Sequence, residues 1–215
     1  MGAQPVVRPE NESNRELVGN VHPPDWVNPE PAECYNLVVV GAGTAGLVSA
    51  AGAAGLGAKV ALVERHLMGG DCLNVGCVPS KGLIRASRAI HDSRHGKRFG
   101  IEVSGEPGVD FSRAMERMQR IRADISAHDS AARFSRELGV DVFLGEGRFT
   151  GRASLAVNGK NLRFKRAAVC TGARAGAPCR RPRRAAAAHR CSRSQRRRRP
   201  ASSPRRGSDR DRDRR

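Results

Sequence analysis

The stretch Tyr35-Asn-Leu-Val-Val-Val-Gly-Ala-Gly-Thr-Ala-Gly46 decides how this chain folds. Its first six residues form a short apolar run of the kind a strand buried on both faces needs, and three glycines at GxGxxG spacing follow without a gap. Gly41 permits the tight turn from strand to helix, Gly43 lets backbone approach a pyrophosphate, and Gly46 lets the helix pack on the sheet. The alanine-rich residues 47–56 supply that helix, with its N-terminus toward the phosphates. Lys59-Val-Ala-Leu-Val63 is the next strand, and Glu64 stands 18 residues beyond Gly46, where an acid is expected for ribose hydroxyls. Bracketed by two strands and closed by an acid, the motif predicts an α/β, Rossmann-type dinucleotide-binding lobe.

Just beyond lies Gly69-Gly-Asp-Cys-Leu-Asn-Val-Gly-Cys-Val-Pro-Ser-Lys81, which sets two cysteines beside the dinucleotide site. A redox disulfide next to a flavin is the first reading. A helix opening around Cys77 would aim its free amides and positive dipole end at sulfur, lowering the thiol pKa. Zinc held by Cys72 and Cys77 with His66 or His91 is the weaker alternative, because no second cysteine pair completes a tetrahedron, so no metal is expected. A purely structural disulfide is disfavoured because nothing suggests secretion; a cytoplasmic location is expected.

With a third element, Val169-Cys-Thr-Gly-Ala-Arg-Ala175, these motifs resemble the FAD-dependent pyridine nucleotide-disulfide oxidoreductases, over about residues 35–175. The resemblance implies hydride passing from NAD(P)H to FAD and on to the Cys72–Cys77 pair, with Cys77 as the thiol against the flavin and Cys72 as the one that attacks substrate. Lys81, four residues after Cys77, corresponds to the lysine near the flavin ring. Gly41, Gly43, Gly46, Glu64, Gly70, Gly145 and the Thr171-Gly172 turn are implied as further FAD contacts, and Gly147 lies where backbone nears the adenine. Asp71 departs from the family's usual threonine; a carboxylate beside the pyrophosphate should weaken binding unless it turns away. Val78-Pro-Ser-Lys81 looks more like lipoamide dehydrogenase or mercuric reductase than glutathione reductase, with Val78 leaning to the mercuric form. The implied substrate is a small disulfide or Hg(II), and the implied assembly a homodimer. No Cys-x-x-Cys occurs in residues 1–33, where a mercury-delivery module would carry one.

Composition changes sharply near Ala175. Residues 1–173 hold 22 basic and 18 acidic side chains, whereas residues 174–215 hold 17 arginines, no lysine and 3 aspartates, so nearly all of the net charge of +18 sits in the tail. Such a stretch cannot bury enough apolar surface to offset its ordering entropy and is expected to be disordered. Its arginines could bind nucleic acid by counterion release, which makes a non-enzymatic nucleic-acid-binding protein the alternative reading. No aromatic residue follows Phe164, so no stacking platform accompanies the charge. The expectation favoured here is a frameshift or truncation that leaves a partial FAD domain at 34–175 and a basic tail at 176–215. No second GxGxxG occurs after Ala175, so this chain is expected to be inactive alone.

Residues 1–33 lack a signal-peptide core and are expected to form an extended leader anchored by Trp26. No run of about 18 apolar residues spans a membrane. Asp110 or Ser112 can cap a helix with Phe111, Met115, Met118, Ile121 and Ile125 on one face, breaking near Asp129 and ending at Gly139. Residues 140–144 read as the third parallel strand, and residues 148–164 as a meander with a hairpin turn at Asn158-Gly159. Cys34 and Cys170 read as small packing residues.

Overall fold

A computed structural model describes residues 5–173 except 103 and 106. The arginine-rich tail, with the disorder and nucleic-acid readings placed on it, lies outside the described residues. Helix α1 spans Glu12–Val21, strand β1 Tyr35–Val40, α2 Thr44–Gly55 and β2 Val60–Glu64. Then come α3 Gly70–Asn74, α4 Cys77–Arg94, α5 Phe111–Ser126 and α6 Ala131–Arg136. The chain continues as β3 Asp141–Leu144, β4 Gly147–Gly151, β5 Ser154–Val157 and β6 Lys160–Val169.

The strands make one sheet in the order β3-β2-β1-β6-β5-β4. β1 pairs in parallel with β2 and β6, and β2 with β3, while β4, β5 and β6 form an antiparallel meander. The expected parallel sheet and meander are therefore continuous, joined by β6. Its first residues pair with β5 (Val157 with Lys160) and its later ones with β1 (Val40 with Val169). The turn before β6 has Asn158 at φ 46° and Gly159 at φ 78°, the two left-handed residues a type I′ hairpin demands.

Every residue of β2 is buried, as its unbroken apolar run requires. One face of the sheet carries Val39, Leu62 and Val142 into a cluster with Leu47, Met68, Leu73 and Phe134 from the helical side. The other carries Val38, Val63 and Phe143 onto Leu155, Leu162 and Phe164 of the meander. Helices thus cover one face and the curled meander the other.

Two expectations are corrected. The leader is not extended throughout: Asn11 caps α1, accepting from the Asn14 amide at 3.0 Å, and Leu17 and Val21 are fully buried in the core. Burying two such side chains contributes about 2 kcal/mol each, enough to fix a ten-residue helix that would be marginal alone. Trp26 does anchor the segment, donating from Nε1 to the Val142 carbonyl at 3.2 Å. The buried face of α5 is also rotated from the expected one. Asp110 caps it as expected, but Phe111 and Ile125 are exposed, and Met118, Gln119, Arg122, Ala123 and Ser126 face inward. The reason is α1: Asn11 Nδ2 donates to Gln119 Oε1 at 2.6 Å and Asn20 Nδ2 to Ser126 Oγ at 2.9 Å, so a polar face meets a polar partner.

Candidate active site at the strand ends

The C-terminal ends of the parallel strands are knitted by backbone hydrogen bonds that step across the sheet. Gly41 N donates to Val63 O, Cys170 N to Val40 O, Gly69 N to Ala42 O and Gly145 N to Glu64 O, each at 2.8 Å. Two clefts of about 610 and 490 Å³ open there, and Gly41, Glu64, Arg65, Thr171, Gly172 and Ala173 line both. Gly145 and Gly147 line the smaller one; Gly43, Thr44, Gly70, Asp71, Cys72 and Asn74 line the larger. The expected glycine turn, acid, cysteine segment and Thr-Gly turn therefore converge.

The three motif glycines divide by what requires them. Gly41 has φ 100°, and a Cβ on it would strike the Cys170 carbonyl. A Cβ on Gly46 would collide with the Gly41 carbonyl oxygen. Gly43 differs: its φ of −78° suits any residue, and its Cβ would meet only the Gly70 Cα at an ordinary 3.7 Å. Among the described residues nothing forbids a side chain at Gly43, which caps α2 and lines the larger cleft. Gly70, at φ 55°, is held bare by Gly43, whose Cα would lie 2.6 Å from its Cβ.

Glu64 is buried and already committed to backbone. Its Oε2 accepts from Ala42 N at 2.7 Å and its Oε1 from His66 N at 2.8 Å, so the acid braces the glycine turn while lining both clefts. Each carboxylate oxygen keeps a further lone pair for a ribose hydroxyl. Gly145 is kept bare by the Asn158 amide, whose Nδ2 donates to Leu144 O at 2.8 Å.

α4 opens at Cys77, as the sequence predicts, and the structure makes Gly76 its N-cap. Pro79 sits in the first turn, where its missing N–H costs nothing. Cys77 is exposed and Cys72 partly buried, and both are free thiols. The Cys72 thiol pKa is raised rather than lowered. The hydrogen bond with Cys77 pushes it up, burial adds to this, and Thr44 and the Lys81 ammonium pull the other way. A proton shared between two adjacent thiols has this result: removing it from one makes the other hold its own more tightly. Lys81, one turn after Cys77, thus acts electrostatically on Cys72. Asp71 is exposed in the first turn of α3. Cys34 is exposed rather than packed, whereas Cys170 packs against the core. Among the described residues no group of three or more His, Cys, Asp or Glu could hold a metal ion, and no helix is long and apolar enough to cross a membrane.

Three contributors escaped the sequence reading. Thr44 lies within the glycine turn, lines the larger cleft and pulls the Cys72 pKa down. Arg65 adds a cation to both clefts. Asn74 donates from Nδ2 to Met68 O at 3.1 Å and Gly70 O at 2.8 Å, clamping the turn before Cys72, while its buried Oδ1, in a residue lining the larger cleft, has no partner among the described residues. An asparagine inside a cysteine-bounded segment was the available signal for the last.

A profile of the pyridine nucleotide-disulphide oxidoreductase family matches residues 35–202. The chain is 35% identical over 144 residues to a dihydrolipoyl dehydrogenase of Acholeplasma laidlawii, covering 67% of this chain and 42% of that enzyme. It is also 35% identical over 145 residues to a mercuric reductase of Lysinibacillus sphaericus, covering 67% of this chain and 26% of that one. Among solved structures it resembles the HOCl-induced flavoprotein disulfide reductase RclA from Escherichia coli, with a TM-score of 0.53 and 28% identity, over 67% of this chain and 30% of that one. The chain thus spans between about a quarter and two fifths of the length of these relatives.

Proposed function

This chain belongs to the pyridine nucleotide-disulphide oxidoreductase family, and on that premise we propose that residues 35–173 cradle FAD along the strand ends and present Cys72 and Cys77 as a redox-active pair. FAD is the cofactor of the family, with NAD(P)H as hydride donor. The observation that carries the reading is the convergence of Cys72, the glycine turn and the Thr-Gly turn on one cleft.

The residues present fit a flavin dinucleotide. Gly43 lacks a side chain that the protein alone would accommodate, and the amides at the start of α2 and the Arg65 cation suit a pyrophosphate. The orphaned Asn74 Oδ1 belongs to a residue of the same cleft. When bound, the flavin supplies a two-electron relay between a nicotinamide hydride and the disulfide. Glu64 would take the ribose hydroxyls on its remaining lone pairs, while Gly145 and the Thr171-Gly172 turn admit the rest of the cofactor. Cys77, at the N-terminus of α4, would face the flavin, and Cys72, whose pKa is raised by its neighbour Cys77, would meet the substrate. That substrate is a small disulfide or Hg(II), the Val78-Pro-Ser-Lys81 form favouring the lipoamide or mercuric kinds. A cytoplasmic, homodimeric parent enzyme belongs to the same proposal.

The test is FAD retention by the purified chain, followed by glutathione disulfide treatment and differential alkylation with peptide mapping. The expected outcome is stoichiometric flavin and a Cys72–Cys77 disulfide, with Cys34 and Cys170 left as thiols. Full alkylation of Cys72 and Cys77 after oxidant, or their pairing with other cysteines, overturns the reading.

A further inference from the structure

Behind the cysteine segment lies a charge that the site above does not use. Arg122 of α5 is only 8% exposed, and burial alone pulls its pKa down. Among the described residues no carboxylate pairs with it. Its Nη1 donates to the backbone carbonyl of Asn74 at 2.8 Å, its Nη2 donates to Asn14 Oδ1, and its Nε has no partner among the described residues.

Asn74 is the last residue of α3 and lies between the two cysteines. Val75 N and Gly76 N both return to Asp71 O, at 3.0 and 2.6 Å, and the Asn74 amide bonds only to Met68 and Gly70. These bonds are local, whereas the one from Arg122 arrives from 48 residues away. At its other end Asn14 is itself fixed: Nδ2 donates to Pro9 O at 2.7 Å and its backbone amide to Asn11 Oδ1 at 3.0 Å.

As a stabilising device this arrangement is poor. A buried guanidinium without a counter-ion and with an orphaned N–H carries a desolvation cost that an apolar side chain of similar volume avoids. What a planar, multidentate donor does supply is a fixed position for the carbonyl it holds. We propose that Arg122 is a positioning residue for the Cys72–Cys77 pair, and that through Asn14 it makes the N-terminal helix part of the pair's support. The inference rests on the redox reading of these two cysteines. Holding the Asn74 carbonyl fixes the path from Cys72 to Cys77 and hence the effective concentration of one thiol at the other.

The experiment equilibrates the full chain with glutathione buffers, in which one protein disulfide and two glutathione thiols exchange with one protein dithiol and one glutathione disulfide. Acid quenching, alkylation and mass spectrometry then give the equilibrium constant, and urea unfolding of the reduced chain runs in parallel. Arg122→Met is expected to make the disulfide about tenfold easier to reduce. Arg122→Lys, which keeps one donor, should recover part of that, and Asn14→Ala should shift the constant in the same direction by less. A wild-type constant in Arg122→Met, whatever happens to its urea midpoint, overturns the proposal by showing a structural role only. If Arg122→Met does not fold, unchanged constants in both Arg122→Lys and Asn14→Ala overturn it, and a shift in both sustains it. A wild-type chain that forms no Cys72–Cys77 disulfide removes the redox reading and this inference with it, an outcome distinct from the others.

Discussion

The Gly41–Gly46 turn and the Gly69–Cys77 segment meet in one cleft, both glycine-rich and both leading into helix N-termini, yet they are held in place by different means. The first is fixed by its neighbours in the sheet: Gly41 N on Val63 O, Cys170 N on Val40 O, and Glu64 bracing Ala42 from the adjacent strand. Among the described residues the second meets the sheet only at Gly69 N on Ala42 O and is fixed from behind by a side chain far away in sequence, Arg122 on the Asn74 carbonyl. A turn whose geometry is set by the sheet can dedicate one of its glycines to a ligand. A segment propped by side chains can carry reactive groups whose spacing depends on those props.

The largest effect should come from separating the two kinds of glycine within the first segment. Gly46→Ala places a Cβ inside the Gly41 carbonyl, backbone against backbone, so the turn must open; a loss of about 3 kcal/mol or more in urea unfolding is expected, and flavin is lost with the fold. Gly43→Ala meets only ordinary contact with Gly70 and should cost about 1 kcal/mol as a changed helix cap, while weakening FAD binding by at least about tenfold, equivalent to about 1.4 kcal/mol. Equal flavin affinity in wild type and Gly43→Ala would erase the distinction between a glycine kept for the fold and one kept for the ligand.

The contrast also explains what could be read from sequence. The first segment was legible because strand, glycines and acid lie within about 30 residues, so local geometry fixes the turn. The meander was legible for the same reason, through Asn158-Gly159 and its left-handed turn. The cysteine spacing and the start of α4 were visible, but the supports of the second segment were not. Asn14, Asn74 and Arg122 are three polar residues on three elements, and only the tertiary packing of α1 on α5 brings them together. The same packing rotated the buried face of α5, because apolar periodicity registers Phe111 and Ile125 but not a partner helix that offers asparagines.

Within the second segment, a smaller effect concerns the Cys72 proton. Its alkylation rate should rise with pH to a midpoint above that of an ordinary free thiol, since the hydrogen bond with Cys77 is the chief cause holding the proton. Cys77→Ser weakens that hold and should move the midpoint down. Lys81→Met removes a favourable charge and should move it up. The measurement is the pH profile of iodoacetamide labelling at Cys72 by mass spectrometry. A midpoint unmoved by Cys77→Ser would mean that the two thiols act independently.

The smallest effect concerns a charge beside the same segment. Asp129 follows α5, and its Oδ2 would lie 3.1 Å from a Cβ on Gly69, the left-handed residue that opens the cysteine segment. Burial raises the Asp129 pKa above the ordinary value of 3.8, with only partial relief from His128 and Arg133. A raised folded-state pKa means that the folded chain binds this proton more tightly than the unfolded one. Asp129 therefore favours folding most when protonated, below about pH 3.8, and that advantage is lost as pH rises through the folded value. Asp129→Asn replaces the carboxylate by a neutral group of the same shape, so at pH 7 the variant should unfold at slightly higher urea than the wild type, and the gap should close as pH falls toward the aspartate's ordinary range. Partial exposure keeps the expected gain small. If Asp129→Asn is instead less stable at pH 7, the carboxylate is a needed acceptor for the Gly69 turn rather than a tolerated charge, and the second segment is propped by two ionised side chains instead of one.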